Sequence, residues 1–264
     1  MPRYLIQLAY KGTNFNGWQK QNHGKALTIQ GSLEHSLSLI LREKIKIIGA
    51  GRTDSGVHAS FYVAHFDCQQ DIDTQLITHK LNSFINKDIR IILIAKVPNN
   101  FHARFHAISR TYKYFIHTLP NPFIQDFSYY VYYKLDIDKM IKASNILLKY
   151  QDFKAFSKAH SGTKHYLVQL QKAFWTIEQD KVIFTISANR FLRNMVRAIV
   201  GTLIEIGRNK LSITDMEKLL QTRDRHLSSF SAPANGLFLV DIKYSAQIEK
   251  FLNKKIKFFY NVHI

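Results

Sequence analysis

The sequence predicts an α+β protein built from two similar lobes. Strand-like runs alternate with amphipathic helical segments along the chain, the second half repeats this alternation, and 46% of the 264 residues are hydrophobic. A chain of this length and apolar content can bury a substantial core. The turn Pro120-Asn121-Pro122 is the best candidate hinge, so we expect an N-terminal lobe over residues 1–119 and a C-terminal lobe over residues 120–264. Their antiparallel or mixed sheets are expected to join across a central cleft, with helices on the outer faces.

The first half alternates strands with helices. Arg3 to Tyr10 is a predicted strand, and the apolar spacing of Thr28 to Leu41 predicts a helix with Thr28 as its N-cap. Tyr112, Tyr114 and Ile116 share one face of the strand that closes this half. The other predicted elements are strands at Ile45–Ile48, Phe61–Phe66, Ile89–Val97 and Ser109–Leu119, and a helix at Thr74–Ile85.

The second half contains the strongest predicted helix, Phe191 to Ile206, with Gly207 as its C-cap. Ser212 and Asp215 form a capping-box pattern that begins another helix. Ser157 to Lys164 has no periodicity and predicts a loop. The remaining elements are a helix at Asp136–Leu148, a hairpin of Val168–Trp175 with Val182–Ser187, and a strand at Leu237–Tyr244.

The charge of the chain favours a polyanionic partner. Lys and Arg number 37 against 19 Asp and Glu, which gives a net charge of +18, and such a field attracts nucleic acid. A generally basic proteome is the alternative explanation. One cysteine, no signal-peptide pattern and no apolar run long enough for a bilayer lead us to expect a cytoplasmic protein without a membrane partner.

The turn from Gly49 to Ala59 is the principal candidate site. Its three glycines permit positive φ angles or close approach of the backbone, and they surround Asp54 between two predicted strands. Arg52 and the positive field would keep this carboxylate ionised. It could then act as a nucleophile, a general base or a metal ligand, or it could simply be a turn residue.

Metal and cofactor sites have little support. Only His58 accompanies Asp54 in the turn, and His102 with His106 does not lie in a clean predicted helix. Cys68, without an evident base partner, is expected to be a core or edge residue. No nucleotide-binding or nucleophile-elbow motif is present. We therefore expect no metal and no cofactor.

Aromatic and basic residues elsewhere have two possible roles. Phe15 and Trp18 either contact nucleotides or pin their loop to the core. Tyr112 either stacks on a base or packs in its sheet. Arg193 and Arg197, one turn apart on the predicted helix, either face a cleft or form a solvated basic face.

Five stretches that span nearly the whole chain carry a resemblance to one known family. They are Gly51–His58, Tyr10–Gln21, Phe101–Phe105 with Tyr112–Tyr114, Phe191 with Met195–Arg197 and Ile199–Gly201, and Gly236–Val240. Together, and in the family order, they resemble the tRNA pseudouridine synthase A family. Only Ser55 departs from the Ala that is usual in the central signature. After the Ser157–Lys164 loop, where family members often carry an arginine, this chain has His165 to Gln169.

The resemblance implies the pseudouridine synthase fold with a basic cleft, and isomerisation of uridine to pseudouridine at positions 38, 39 and 40 of the tRNA anticodon stem-loop. It also implies a homodimer that holds tRNA across both subunits. By motif position, Asp54 would be the nucleophile and Arg197 its ion-pair partner. Tyr112 would stack on the target base and could take part in proton transfer. The expected substrate contacts are Tyr112, Arg52, His58, Arg104 and Arg193. A non-catalytic RNA-binding protein on the same scaffold is the alternative.

Overall fold

The computed structural model describes residues 1–21, 26–158, 162 and 165–254. The chain forms two compact units, one of Met1–Ile108 with the chain from Leu239 onward, the other of Ser109–Phe238. This division differs from the predicted boundary between residues 119 and 120. The strand that begins at Ser109 pairs along its length with a strand of the second unit, so Pro120–Pro122 lies inside that unit. Most of the Ser157–Lys164 loop and the tail after Lys254 lie outside the described residues.

The first unit is organised around an antiparallel sheet. Strand β1 (Arg3–Tyr10) pairs on one side with β3 (His58–Asp67) and on the other with β4 (Ile89–Val97). The short β2 (Ile47–Gly49) also pairs with β3. The last strand, β9 (Leu237–Lys243), adds to β3, which gives the order β4-β1-β3-β9. Nearly every residue of β3 is buried, which places it at the centre of the unit.

Two helices cover this sheet. Helix α1 (Ile29–Leu41) begins where the sequence predicts, because the Thr28 hydroxyl accepts a hydrogen bond from the Gly31 N–H. Helix α2 (Thr74–Phe84) is capped by Asp73 and packs on β4. A single helical turn, α6 (Ala246–Glu249), follows β9. The apolar faces of α1 and α2 therefore close one core.

The main strands of the second unit follow the order β5-β8-β7. Its strands are β5 (Ser109–His117), β7 (Leu170–Glu178) and β8 (Lys181–Ala188), and both pairings are antiparallel. The short β6 (Tyr129–Tyr130) runs parallel to β5, so the pairing is mixed. Helix α3 (Ile137–Leu147) packs on β7, on α4 (Met195–Gly207) and on α5 (Ile213–Thr222).

Helix α5 confirms the predicted capping box. The Ser212 hydroxyl accepts from the Asp215 N–H at 3.1 Å, and the Asp215 carboxylate accepts from the Ser212 N–H at 2.8 Å. These two bonds satisfy donors that would otherwise be unpaired at the start of a helix. The predicted fold class is likewise confirmed, since antiparallel and mixed sheets are covered by helices.

Helix α4 differs from its prediction at both ends. It begins at Met195 rather than Phe191, because Asn194 adopts φ of +66° and interrupts the helical path. Gly207 lies inside the helix, and Arg208 is the C-cap. Packing explains this glycine, since a Cβ atom there would lie 2.5 Å from the Met140 sulfur. Arg193 therefore lies in the turn before α4, not one helical turn from Arg197.

Candidate active site

Asp54 lies on the loop that joins β2 to β3. Main-chain hydrogen bonds connect this loop to residues 15–18: the Trp18 N–H donates to the Thr53 carbonyl and the Gly56 N–H to the Phe15 carbonyl, both at 3.2 Å. Gly56 has φ of +79°, which favours glycine. The side chain of Asp54 is partly exposed. The loop therefore holds one carboxylate at the end of a buried strand.

Two other glycines let the neighbouring chain approach the Asp54 loop closely. A Cβ atom at Gly12 would lie 2.0 Å from the Val57 carbonyl oxygen, and one at Gly17 would lie 2.4 Å from the Thr53 carbonyl oxygen. Real Cβ atoms do not approach backbone so closely, so a larger residue would displace the loop. Gly51, by contrast, would place a Cβ in open space. Gly12, Gly17 and Gly56 position Asp54, and Gly51 has no such steric role.

Aromatic residues pack against one another next to the Asp54 loop. The Trp18 and Tyr62 rings stack with centroids 4.0 Å apart, and the Tyr10 hydroxyl shares a 2.9 Å hydrogen bond with the buried Thr53 hydroxyl. Phe15 and Trp18 are buried. These two residues pin their loop to the core, and their burial favours that role over contact with nucleotides.

Arg52 is exposed and is positioned through a chain of polar groups. Its Nε donates to Gln19 Oε1 at 3.2 Å. Gln19 donates to Gln30 at 2.7 Å, and Gln30 donates to the buried Glu34 at 2.9 Å. Lys20 pairs with the same Glu34 carboxylate at 3.3 Å. This relay was not predicted from the sequence, although Gln30 and Glu34 lie one helical turn apart on the buried side of α1.

The other predicted residues of the first unit differ in exposure. His58 is 1% exposed, and its Nδ1 accepts a hydrogen bond from the Gly12 N–H at 3.1 Å. This position favours a structural role in the turn over direct contact with substrate. Arg104 is exposed in the turn between β4 and β5, where an anionic ligand can approach it.

Tyr112 lies on β5 in the second unit, opposite Ile186 of β8. Its side chain is 9% exposed, and the ring of Phe191 meets it edge to face with centroids 5.1 Å apart. Tyr114 and Ile116 are buried on the same face, as predicted. The Tyr112 ring is therefore held firmly in its sheet by contact with Phe191.

Arg197 is anchored part-way along its side chain. Its Nε donates to the Ala232 carbonyl at 2.7 Å, and the Ala232 N–H donates to the Arg197 carbonyl at 3.0 Å. The Asn194 amide donates to the Ser231 hydroxyl at 2.7 Å beside it. We define residues 229–233 as the anchoring segment of Arg197. This segment was not predicted from the sequence because it has no motif or periodicity of its own.

A glycine also brings the anchoring segment against α4. A Cβ atom at Gly201 would lie 1.9 Å from the Phe230 carbonyl oxygen. The Tyr114 hydroxyl, which is buried, donates to the Pro233 carbonyl at 2.9 Å, and burial raises the pKa of this phenol. Arg193 lies in the turn just before α4 and is exposed.

The structure thus places Asp54, Arg52, His58 and Arg104 in the first unit, and Tyr112, Arg193 and Arg197 in the second. Contact between Asp54 and either Tyr112 or Arg197 stays a prediction. Among the described residues, no group of three or more His, Cys, Asp or Glu side chains could hold a metal ion. No helix within the described ranges is both long and apolar enough to cross a membrane.

Comparison with known proteins identifies the family. A model described as tRNA pseudouridine synthase matches residues 7–106 and 149–245. A tRNA pseudouridine synthase A of Azobacteroides pseudotrichonymphae is 48% identical over 250 residues, which cover 95% of this chain and 100% of that protein. The protein of that name from Bacteroides thetaiotaomicron is 46% identical over 251 residues, which cover 94% of this chain and 93% of that protein. From these matches, which include the loop that carries Asp54, we conclude that the chain belongs to the tRNA pseudouridine synthase family.

Proposed function

We propose that this protein isomerises uridine to pseudouridine at positions 38, 39 and 40 of the tRNA anticodon stem-loop, with Asp54 as the nucleophile. The observation that carries this proposal is the partly exposed carboxylate on a loop fixed by close backbone contacts, in a chain of this family. The net charge of +18 supports an RNA substrate.

The isomerisation rearranges bonds within one nucleoside. The bond between N1 of uracil and C1′ of ribose breaks, and a bond between C5 and C1′ forms. The hydrogen on C5 leaves as a proton, and N1 gains a proton, so the atoms balance without an oxidant or a reductant. A carboxylate such as Asp54 can carry the intermediate as an ester at C1′ or as an adduct at C6 of the base.

The target base must leave its stack before Asp54 can reach it, at a cost of a few kcal/mol. We assign displacement of the base and contact with phosphate to Arg52. This side chain is exposed, and the relay through Gln19, Gln30 and Glu34 directs it. Because guanidinium binds phosphate by paired hydrogen bonds, a directed arginine suits this role.

Tyr112 and Arg197 are assigned to the same reaction from the second unit. The Tyr112 ring, which packs perpendicular to the ring of Phe191, would stack on the everted uracil, and its hydroxyl could take part in proton transfer. Arg197 would pair with Asp54 and keep the carboxylate charged and oriented. Since its Nε already donates to Ala232, the terminal nitrogens would make that pair.

Two further parts of the proposal concern assembly and location. We propose a homodimer that holds tRNA across both subunits, and a cytoplasmic protein, as the family resemblance and the single cysteine suggest. Arg104 and Arg193, both exposed, would contribute to substrate binding.

The test is Asp54→Asn, which removes the nucleophile and keeps the shape of the side chain. Pseudouridine formation in tRNA should fall below detection, while the Kd for tRNA should change by no more than about threefold. Asp138→Asn is the matched control, because it removes the same charge from the exposed first turn of α3. Mapping of pseudouridine after incubation gives the readout, with binding measured separately.

Substantial turnover by Asp54→Asn would contradict the assignment of the nucleophile. If wild-type protein bound tRNA and left every uridine unchanged, the protein would be a non-catalytic RNA-binding member of the family. That outcome would overturn the proposed activity and leave the RNA partner in place.

A further inference from the structure

Helix α1 presents two buried polar side chains to the first residue of β2. Gln30 and Glu34 are each 9% exposed. The Ile47 N–H donates to Glu34 Oε1 at 3.1 Å, and the Ile47 carbonyl accepts from Gln30 Nε2 at 3.0 Å. These two side chains therefore satisfy both backbone groups of Ile47, as a neighbouring strand would.

The backbone of Ile47 fixes the direction in which the Gln30 amide points. A carbonyl oxygen can only accept a hydrogen bond, so the NH2 group of Gln30 must face the Ile47 carbonyl. The same NH2 group donates to Glu34 Oε1 at 2.9 Å. On its other side, Gln30 Oε1 accepts from the Lys20 N–H at 3.0 Å, and a backbone N–H can only donate. All of these neighbours require the same orientation of the Gln30 amide.

The orientation of Gln30 decides the orientation of Gln19. Gln30 Oε1 also accepts from Gln19 Nε2 at 2.7 Å, which leaves Gln19 Oε1 as the acceptor for Arg52 Nε at 3.2 Å. A guanidinium has donors only. If the Gln19 amide were turned over, its NH2 group would face Arg52 and its oxygen would face the oxygen of Gln30. Both hydrogen bonds would be lost, so the buried end of the relay sets the polarity at the exposed end.

The hydrogen bond at Nε leaves the terminal nitrogens of Arg52 to a ligand. Both Arg52 and Gln19 are exposed. An unrestrained arginine loses rotamer entropy when it binds phosphate, and a side chain that is held in advance loses less. The relay therefore orients Arg52 before a ligand binds.

The two carboxylate oxygens of Glu34 have different partners. Oε1 accepts from both Ile47 and Gln30, whereas Oε2 pairs with the Lys20 ammonium at 3.3 Å. The Lys20 side chain is 59% exposed, and ion pairs as exposed as this one contribute little. The acceptor at Oε1 therefore matters more for the relay than the charge of the carboxylate does.

We infer that Gln19, Gln30 and Glu34 are positioning residues for Arg52, and that the polarity of their hydrogen bonds, not the charge of Glu34, holds the guanidinium in place. The inference rests on the proposed function, which assigns displacement of the target base and contact with phosphate to Arg52. Because Gln30 and Glu34 are buried, they act on the RNA only through the exposed end of the relay.

The first test removes the link at Gln19. Gln19→Met keeps the length of the side chain and can make neither hydrogen bond. The single-turnover rate of pseudouridine formation at saturating tRNA should fall by about 2- to 10-fold, the range expected for the loss of one such bond. Gln21→Met, at an exposed glutamine two residues along the chain, is the matched control and should keep the wild-type rate.

A double-mutant cycle separates positioning from direct contact with RNA. In an Arg52→Met background, Gln19→Met should cause no further loss of rate, because Gln19 acts only through Arg52. A further loss of the same size would show that Gln19 touches the RNA itself, and it would overturn the inference. A wild-type rate in Gln19→Met alone would overturn it as well.

The second test needs neither RNA nor turnover. Exchange of the Arg52 Nε–H proton with solvent is measured by NMR in the full chain, and the signal that disappears in Arg52→Met identifies this proton. Exchange should be about 2- to 10-fold faster in Gln19→Met than in wild type, because the hydrogen bond to Gln19 protects the proton.

Variants of Glu34 separate polarity from charge. Glu34→Gln keeps an oxygen at the position of Oε1 and loses the charge, so it should retain both the slow exchange and the wild-type reaction rate. Glu34→Met loses the acceptor, and the Arg52 proton should exchange as fast as in Gln19→Met. Wild-type exchange in Glu34→Met, or fast exchange in Glu34→Gln, would contradict the assignment of polarity. If Glu34→Met does not fold, Glu34→Gln alone decides this point.

The two tests also separate this inference from the proposed function. A wild-type protein that forms no pseudouridine would contradict the proposed function. An active wild type whose Arg52 proton exchanges as fast as that of Gln19→Met would contradict this inference alone.

Discussion

Asp54 and Arg197 are held in their units by different means. The Asp54 loop is located by its main chain: Gly12 and Gly17 approach it closely, and peptide groups of Phe15 and Trp18 bond to it. Arg197 is located by a hydrogen bond in the middle of its own side chain, to the Ala232 carbonyl. Main-chain contacts therefore position Asp54, and a side-chain hydrogen bond positions Arg197.

The length of each side chain explains the difference. Aspartate has two rotatable bonds, so a fixed backbone nearly fixes its carboxylate. Arginine has about 2 kcal/mol of rotamer entropy to lose, and a fixed Cα would leave its guanidinium free to sweep a wide volume. A hydrogen bond at Nε removes most of this freedom. Different substitutions should therefore displace Asp54 and Arg197.

The largest effect is expected from Gly17→Ala. Gly17 has φ of +83°, and the new Cβ would lie 2.4 Å from the Thr53 carbonyl oxygen. Strain and overpacking together should lower the free energy of unfolding by about 2–4 kcal/mol and displace Asp54. Urea unfolding and single-turnover formation of pseudouridine measure the two consequences.

Gly51→Ala is the control, since its Cβ would meet nothing within 4 Å. We expect a stability change of at most about 0.5 kcal/mol there. If both glycine variants lost activity equally, main-chain contact between the loops would not be what positions Asp54.

Acid should weaken the first unit through His65. This residue is 1% exposed, and its Nδ1 accepts the Ala103 N–H. Burial, followed by the charges of Arg3 and His102, lowers its pKa from 6.5 to about 4. The unfolded chain therefore binds the proton more readily. The stabilisation from neutral His65 is therefore fully present above about pH 6.5. As the pH drops toward 4, the free energy of unfolding falls by about 2–3 kcal/mol.

His65→Gln keeps an acceptor for Ala103 and cannot titrate. Urea unfolding of this variant between pH 7 and pH 4 should show a correspondingly smaller loss of stability than the wild type. His79→Gln, at an exposed position of α2, should keep the wild-type dependence. A pH dependence that is the same in all three proteins would exclude His65 as its source.

The smallest effect is expected from Ser231→Ala. The change removes the acceptor of the 2.7 Å hydrogen bond from Asn194 and loosens the anchoring segment without touching Arg197. One hydrogen bond of this kind is worth about 0.5–1.5 kcal/mol. We expect that loss of stability in urea, a modest fall in kcat and an unchanged KM for tRNA.

Ser231→Thr retains a hydroxyl and should restore the kcat. A higher KM for tRNA with an unchanged kcat in Ser231→Ala would show that the segment contacts RNA directly. The anchoring segment would then act on the RNA and not through the position of Arg197.

Local sequence signals predicted most of the elements. The bounds of β1 and β4 are as predicted, because strands rich in β-branched residues end at clear turn signals. Thr28, Ser212 and Asp215 marked helix starts correctly. The start of α4 was missed because the apolar period continues through Phe191 and Leu192, and only the left-handed backbone of Asn194 interrupts it.

The motifs indicated Asp54, Tyr112 and Arg197, and the structure adds how each is held. Burial of Trp18 decided between two roles that the sequence left open. The glycine contacts at Gly12 and Gly201, and the bond from Arg197 to Ala232, join parts of the chain that are distant in sequence. No local pattern encodes such contacts, so the sequence could not predict them.

The first unit can be completed only after the second unit has been synthesised, because β9 follows the second unit in the chain. Strand β9 pairs with β3, yet the ribosome must synthesise all of residues 109–238 before most of β9 appears. Until then β2 is paired with only a short part of the edge of β3 that faces away from β1, and open strand edges attract other chains. The second unit is continuous in sequence and can fold as it emerges. The half of the protein that carries Asp54 begins first and is completed last.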